Sequence, residues 1–225
     1  MTNSNYTLTV IYNNLYTYFN YKKLIPLDDK INDNEFIKHI YNNEYFTITT
    51  IEDKYTKEEI KEIKDNLENT NYKNEKQYKL TYILLFHYNS ELYSKTQDLK
   101  KILNLFKKKT FQYDIILITK NEISTHVKNF IDTIKNKLHI NNYTYKLFTI
   151  IIPKHILSNK HDIVLKENEE ELLNNVLMCK KANLPKIKIS DPQIIWSSGM
   201  IGDIVCITRY DDISGITLYY RVIVN

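Results

Sequence analysis

Segments of strand and helix character alternate between residues 80 and 152, and this alternation constrains the fold of the 225-residue chain more than any other feature. Apolar runs at 80–88, 113–119 and 143–152 are typical of buried strands. Between them, apolar residues recur at helical spacing from Leu99 to Phe106 and from Val127 to Leu138. This order predicts a small α/β sheet covered by helices.

The residues before this alternation add two helices and a strand. The first helix has apolar residues at helical spacing and ends near Pro26; these residues are Leu8, Ile11, Tyr12, Leu15 and Phe19. A second helix starts at Asn34, and residues 46–51 predict a strand. The polar stretch 54–76 is typical of either a solvated helix or a flexible insertion.

The pattern changes after residue 150. A helix is expected over 167–181, followed by three short strands at 187–189, 204–208 and 217–224. All three glycines of the chain lie among these strands, so each is expected to mark a positive φ or a close backbone approach. The chain is therefore predicted to be an α+β protein with two domains, residues 1–150 and 151–225.

Charge and cysteine content narrow the class of protein only slightly. The formal net charge is +4, and the whole excess lies in residues 1–150, which hold 22 basic and 18 acidic residues. Solubility accounts for this excess as well as nucleic-acid binding does. Neither cysteine has metal-ligand spacing, and no apolar run approaches the roughly 20 residues of a membrane span. We therefore expect an intracellular, soluble protein without a signal peptide.

The sequence contains little that resembles a catalytic motif. The six histidines show no metal-binding spacing, and the sequence has neither a glycine-rich phosphate loop nor a nucleophile elbow. The pair Glu62 and Lys64 matches a nuclease-like pattern, but it lies in the most highly charged segment, where chance matches arise. No catalytic residue, metal, cofactor or small-molecule ligand is expected.

The last forty residues carry an ordered set of motifs. A Leu-Pro-x-Ile segment leads to Asp-Pro, a loop with two glycines, a strand containing Ile-x-Arg and a final Tyr-Arg strand. The residues concerned are Leu184, Pro185, Ile187, Asp191, Pro192, Gly199, Gly202, Ile207, Arg209, Tyr220, Arg221 and Val224. This segment resembles the C-terminal assembly domain of RNA polymerase subunit 5, a family with both eukaryotic and archaeal members.

The resemblance implies an N-terminal α/β jaw domain, with helices and a small mixed sheet, followed by an α+β assembly domain. It implies a non-catalytic subunit of a multisubunit DNA-dependent RNA polymerase. The assembly domain would bind the largest subunit, alongside other polymerase subunits, and the jaw would flank downstream double-stranded DNA. Neither a membrane nor a small molecule is implied as a partner.

Both arginines of the chain fall on arginine positions of the family, where a planar bidentate donor suits an interface. The implied subunit interface comprises His161, Asp191, Pro192, Trp196, Gly199, Gly202, Arg209, Tyr220 and Arg221. Two histidines compete for the family's Pro-x-His position: His155 matches by letter and His161 by register, and we prefer His161 as a structural histidine. Trp196 fits either an interface anchor or a core residue.

The chain differs from cellular members of the family directly after Asp-Pro, where its residues are Gln193, Ile194, Ile195 and Trp196. An apolar pair followed by Trp is similar to copies from large cytoplasmic DNA viruses, particularly African swine fever virus. That source implies a cytoplasmic location, in a virus factory or virion; a cellular eukaryotic source implies the nucleus. Two rival classes remain, a free-standing metal-dependent DNA enzyme and a scaffold that binds polymerase transiently.

The jaw resembles the family only in layout. The family's DNA-facing loop corresponds to residues 119–124, which lack the Thr-Pro-Ser-Ala letters, and Ser124 or Thr125 is explained equally well as a helix N-cap. Candidate DNA-proximal residues are Lys107, Lys108, Lys109 and Lys120. The three consecutive lysines fit phosphate contacts, and they also fit a solvated helix C-terminus.

Overall fold

A computed structural model describes residues 3–67, 78–106, 111–134, 138–213 and 215–225. It divides into two compact units, Met1–Thr149 and Ile150–Asn225. Each unit contains its own sheet and its own apolar core.

The first unit is built around a five-stranded mixed sheet in the order β1-β2-β3-β4-β5. Its strands are β1 (Leu24–Pro26), β2 (Tyr45–Glu52), β3 (Lys79–Phe86), β4 (Gln112–Thr119) and β5 (Ile140–Thr144). Pairing is antiparallel from β1 to β3 and parallel from β3 to β5. The predicted strand–helix alternation therefore forms the parallel half, in which helices make the crossovers between strands.

Among the described residues, five helices accompany this sheet: α1 (Asn3–Lys22), α2 (Asp33–Asn43), α3 (Lys57–Asn66), α4 (Thr96–Phe106) and α5 (Thr125–Ile134). The apolar positions predicted for α1 are all at most 1% exposed. The polar stretch after β2 is helical over α3, which begins with a capping box between Thr56 and Glu59 and buries Ile63. The rest of that stretch, 68–76, lies outside the described residues.

The prediction of a third long strand over 143–152 is wrong. β5 ends at Thr144, and Tyr145–Leu147 forms a 3-10 turn. The last paired residue of β5 faces Thr119, the final residue of β4, so the neighbouring strand offers no further backbone partner. Tyr145 then turns inward, and its hydroxyl donates a hydrogen bond to the carbonyl oxygen of Phe86.

The second unit contains a four-stranded mixed sheet in the order β6-β8-β9-β7. Its elements are β6 (Lys160–Ile163), α6 (Lys166–Glu171), β7 (Lys186–Lys188), α7 (Pro192–Ser197), β8 (Ile204–Asp211) and β9 (Gly215–Val224). The three predicted strands are present, whereas β6 and α7 were not predicted. The prediction of a single helix over 167–181 is wrong. Helix α6 widens into a π turn over Leu172–Val176, and the chain then turns at Met178, whose φ is +48°.

Candidate functional site

The sheet of the second unit presents two chemically different faces. On one face Val205, Ile207 and Ile223 pack with Ile194 of α7 to form the core. Strand register places several polar or aromatic residues on the same face, next to these core residues, among them His161, Arg209, Tyr219 and Arg221. We call these four residues the arginine face. It contains three of the nine residues predicted for the interface.

Arg209 stacks on an aromatic ring. Its guanidinium carbon lies 4.3 Å from the centre of the Tyr219 ring. Tyr219 was not predicted as a site residue; the hairpin register places it diagonally from Arg209, because Thr217 is opposite Arg209 and Tyr219 is opposite Ile207. The Arg209 Nε has no hydrogen-bond acceptor among the described residues. The stack therefore fixes a planar cation whose hydrogen-bonding capacity is incompletely used.

Arg221 has a contact within the sheet. Its Nη1 donates a hydrogen bond of 3.3 Å to the main-chain oxygen of Lys186, at the start of β7. This bond ties β9 to the edge strand. It gives Arg221 a structural role that does not depend on a partner.

His161 lies on β6, opposite Ile207. Its Nδ1 is 2.8 Å from the main-chain oxygen of Asn159, so a proton on Nδ1 makes this a donated hydrogen bond and leaves Nε2 as an acceptor in the neutral ring. His155 lies instead in an exposed stretch after the 3-10 turn Ile152–Lys154. His161 is therefore the histidine that belongs to the sheet.

Helix α7 accounts for three further predicted residues. Asp191 is its N-cap and accepts a hydrogen bond of 2.9 Å from the main-chain N–H of Gln193, while Pro192 takes the first helical position. Trp196 is completely buried. This burial fits the core role, and the role of Trp196 in the subunit interface stays a prediction.

Gly199 and Gly202 shape the loop between α7 and β8. A Cβ atom on Gly199 would lie 2.4 Å from Cδ1 of Ile223 and 2.9 Å from Cδ1 of Ile163, so a larger residue here would have to displace these two side chains. Gly202 has a φ of +90°. Buried Asp203 completes the loop: one carboxylate oxygen accepts the N–H of Met200 at 2.8 Å, and the other lies 3.1 Å from Nζ of Lys166.

Tyr220 lies on the opposite face of the sheet from the two arginines. Strand alternation turns it toward Cys206, its cross-strand partner. Burial raises the pKa of the Tyr220 hydroxyl, and the adjacent Cys206 thiol adds to the rise. Tyr220 and Arg221 are therefore neighbours in the motif but lie on opposite faces of the sheet.

The candidate DNA-proximal residues lie in the first unit. Lys107, Lys108 and Lys109 fall outside the described residues. Lys120 is described, and its Nζ lies 3.7 Å from the centre of the Tyr88 ring, just beyond the carboxyl end of β4. Ser124 is the N-cap of α5, since its Oγ accepts the N–H of Val127 at 3.4 Å.

Candidate metal ligands and the nuclease-like pair are scattered in the described part of the chain. Nowhere in the described ranges do three or more His, Cys, Asp or Glu side chains gather as a metal site would require. Glu62 and Lys64 are two positions apart on α3, which points them to different sides of the helix. Within the same ranges, no helix is both long and apolar enough to span a bilayer.

Sequence similarity of the second unit defines the class of protein, an RNA polymerase subunit of the Rpb5 type. Residues 150–223 match the family model for the RNA polymerase Rpb5 C-terminal domain. The DNA-directed RNA polymerase subunit Rpo5 of Nitrosopumilus maritimus is 40% identical over 76 residues, which cover 34% of this chain and 90% of the relative. The Rpo5 subunit of Archaeoglobus fulgidus is 43% identical over 70 residues, covering 31% of this chain and 91% of the relative.

The chain belongs to the Rpb5/Rpo5 family of RNA polymerase subunits. The similarity extends into the first unit in the DNA-directed RNA polymerase RPB5 homolog of African swine fever virus, which is 26% identical over 203 residues. These residues cover 87% of this chain and 86% of the viral protein. The predicted family, with its viral character, is confirmed.

Proposed function

We propose that this chain is a non-catalytic polymerase subunit that binds the largest subunit through residues 150–225 and holds residues 1–149 near downstream DNA. The observation that carries the proposal is the arginine face, which lies in the part of the chain that matches the family model. Its two arginines supply planar donors, and Tyr219 remains 43% exposed beside them. Arginine and tyrosine are enriched at the energetic centres of protein interfaces.

The charge of this face indicates the chemistry of the partner surface. Arg209 and Arg221 carry permanent positive charges, and the Nε of Arg209 lacks an acceptor among the described residues. That Nε is buried, so a carboxylate on the partner would instead accept from the outer Nη groups of the guanidinium, in a charge-assisted hydrogen bond. The proposal therefore includes an acidic side chain of the largest subunit opposite Arg209.

Co-expression of the full chain with the largest polymerase subunit of the same genome tests the binding proposal. A stable one-to-one complex is expected in size-exclusion chromatography with light scattering. Arg209→Ala is expected to weaken it, whereas Lys154→Ala, a change of an exposed lysine in the same unit, is not. Elution of the chain as a separate folded species would contradict the proposal, and a substoichiometric complex would favour the transient scaffold.

A second experiment tests the proposed position near DNA. A photo-crosslinking residue at position 120 of the assembled polymerase is expected to crosslink to downstream duplex, and one at exposed Lys61 on α3 serves as the matched control. Equal crosslinking yields at positions 120 and 61 would contradict the proposal that Lys120 lies near the downstream DNA. Metal-dependent DNA cleavage by the purified chain would instead favour the enzyme class.

The location follows from the same proposal. The viral relative is named as an RNA polymerase subunit of African swine fever virus. We propose a cytoplasmic location, in a virus factory or virion. Imaging of the tagged chain in infected cells tests this, and nuclear accumulation would contradict it.

A further inference from the structure

Strand β9 has an open edge. It is ten residues long and pairs with β8 from Gly215 to Val222, but β7 pairs only with Val222, Ile223 and Val224. Along the side on which β7 lies, residues 215–221 of β9 have no strand neighbour among the described residues. More than half of β9 is therefore an edge strand on this side.

The hydrogen bonds of β9 identify the groups that face the open edge. The N–H of Val222 donates to the oxygen of Pro185, on the β7 side, whereas the N–H of Ile223 donates to the oxygen of Asp203, on the β8 side. Because these directions alternate along an antiparallel pair, Ile216, Leu218 and Tyr220 direct their N–H and C=O groups to the open edge. In the described part of the chain these main-chain groups have no hydrogen-bond partner.

The open edge lacks the usual protection against strand pairing. Proteins generally guard exposed edges with proline, charged side chains or bulges. Residues 216–220 contain neither proline nor a charged residue, and their register with β8 is continuous. Ile216 and Leu218 are 65% and 50% exposed, with side chains on the same face as Tyr220.

Two lysines lie where the open edge meets β7. Lys186 is opposite Val222 and Lys188 is opposite Val224, so both side chains are on the face that carries Ile216 and Leu218. Both lysines are exposed, and neither forms an ion pair with a described residue. The combination favours a strand with apolar residues at alternate positions and an acidic residue at the end next to Lys186.

We propose that the edge of β9 from Ile216 to Tyr220 accepts an extended segment of the partner protein as a fifth strand of the sheet. The segment is apolar at alternate positions and acidic where it meets Lys186 and Lys188. This inference rests on the proposed function, because it takes the occupant to be a segment of the largest polymerase subunit. It adds a main-chain mode of binding to the side-chain contacts of the arginine face.

Leu218→Pro tests the proposal in the full-length complex. The substitution removes an N–H that faces the open edge and is absent from the β8–β9 ladder, so the hairpin can still form. Leu218→Ala is the matched control, since it removes the same side chain but keeps the N–H. We expect Leu218→Pro to weaken binding to the largest subunit about tenfold more than Leu218→Ala does.

Two further measurements do not depend on a proline variant that folds. Amide exchange in the wild-type complex should newly protect Ile216, Leu218 and Tyr220, whereas Thr217 and Tyr219 are already protected by β8. Double charge reversal, Lys186→Glu with Lys188→Glu, should weaken binding more than Lys154→Glu does. Unchanged exchange at the three edge amides in a complex that forms normally would overturn strand addition while leaving the proposed function intact.

Two other outcomes would overturn strand addition by the largest subunit. A wild-type chain that does not bind the largest subunit at all overturns both proposals. Concentration-dependent dimerisation of the free chain, abolished by Leu218→Pro, would make a second copy of this chain the occupant and overturn the polymerase segment.

Discussion

The guanidinium of Arg209 lies 4.3 Å from the centre of the Tyr219 ring, diagonally across the β8–β9 hairpin. The substitution Arg209→Lys would keep the charge but lose the planar group that stacks on the ring. We therefore expect it to destabilise the second unit by about 0.5–1 kcal/mol, and to weaken binding of the largest subunit further. Thermal unfolding and titration of the same variant separate the two effects. A variant with wild-type affinity would show that charge alone suffices at this position.

Trp196 is completely buried, so its truncation tests the core role. Trp196→Ala should destabilise the second unit by about 3–5 kcal/mol, because it removes a large side chain and leaves a cavity. Trp196→Phe retains most of the apolar volume and should cost much less. Denaturant unfolding of the full chain measures both. Unchanged stability with lost polymerase binding would instead show that a partner reaches this side chain.

Gly199 and Gly202 should respond differently to alanine. Gly199→Ala places a methyl group 2.4 Å from Cδ1 of Ile223, a steric overlap expected to cost about 1–3 kcal/mol. Ile223→Val removes that Cδ1 and should partly rescue the Gly199→Ala variant. Gly202→Ala enters open space but strains a φ of +90°, so it should cost about 1–2 kcal/mol, without rescue by Ile223→Val. A double-mutant cycle measures the coupling, and zero coupling at Gly199 would contradict the contact.

The first unit should become more stable as the pH rises from 8 to 10. Burial lowers the pKa of Lys22 from 10.5 to about 8. Between these values the unfolded chain binds more protons than the folded chain, so the free energy of unfolding increases with pH. Above about pH 10 the trend should reverse, because burial raises the pKa of Tyr82 and Tyr143 to about 12 and holds them neutral in the folded state.

Lys22→Met provides the control for this pH dependence. At pH 7 the folded chain bears the full cost of burying the charged amine, so the variant should be more stable by on the order of 1–3 kcal/mol. Its stability should then change little between pH 8 and 10. Denaturant unfolding at several pH values measures both effects, and a wild-type slope in the variant would assign the dependence to another group.

The candidate site could be predicted only in part. The sequence alone singles out Arg209 and Arg221 as candidate site residues, because they are the two arginines of the chain and both fall in the C-terminal motifs. The same motif pairs Arg221 with Tyr220, yet the aromatic partner on the arginine face is Tyr219. A two-residue period assigns Tyr219 and Tyr220 to opposite faces, but the pairing register decides which of them meets Arg209. That register belongs to the hairpin and is not visible in either strand alone.

The sequence by itself determined which segments become strands and helices in most of the chain, because apolar periodicity is a local property. It also determined where backbone strain or crowding required glycine, since Gly199, Gly202 and Gly215 are the only glycines in the chain and each occupies such a position. Tertiary structure alone decided that β5 stops at Thr144, because the limit is set by the end of β4. Tertiary structure also decided that Trp196 is buried in the core and that β9 extends beyond its pairing with β7. Burial and open strand edges arise only when distant segments pack together.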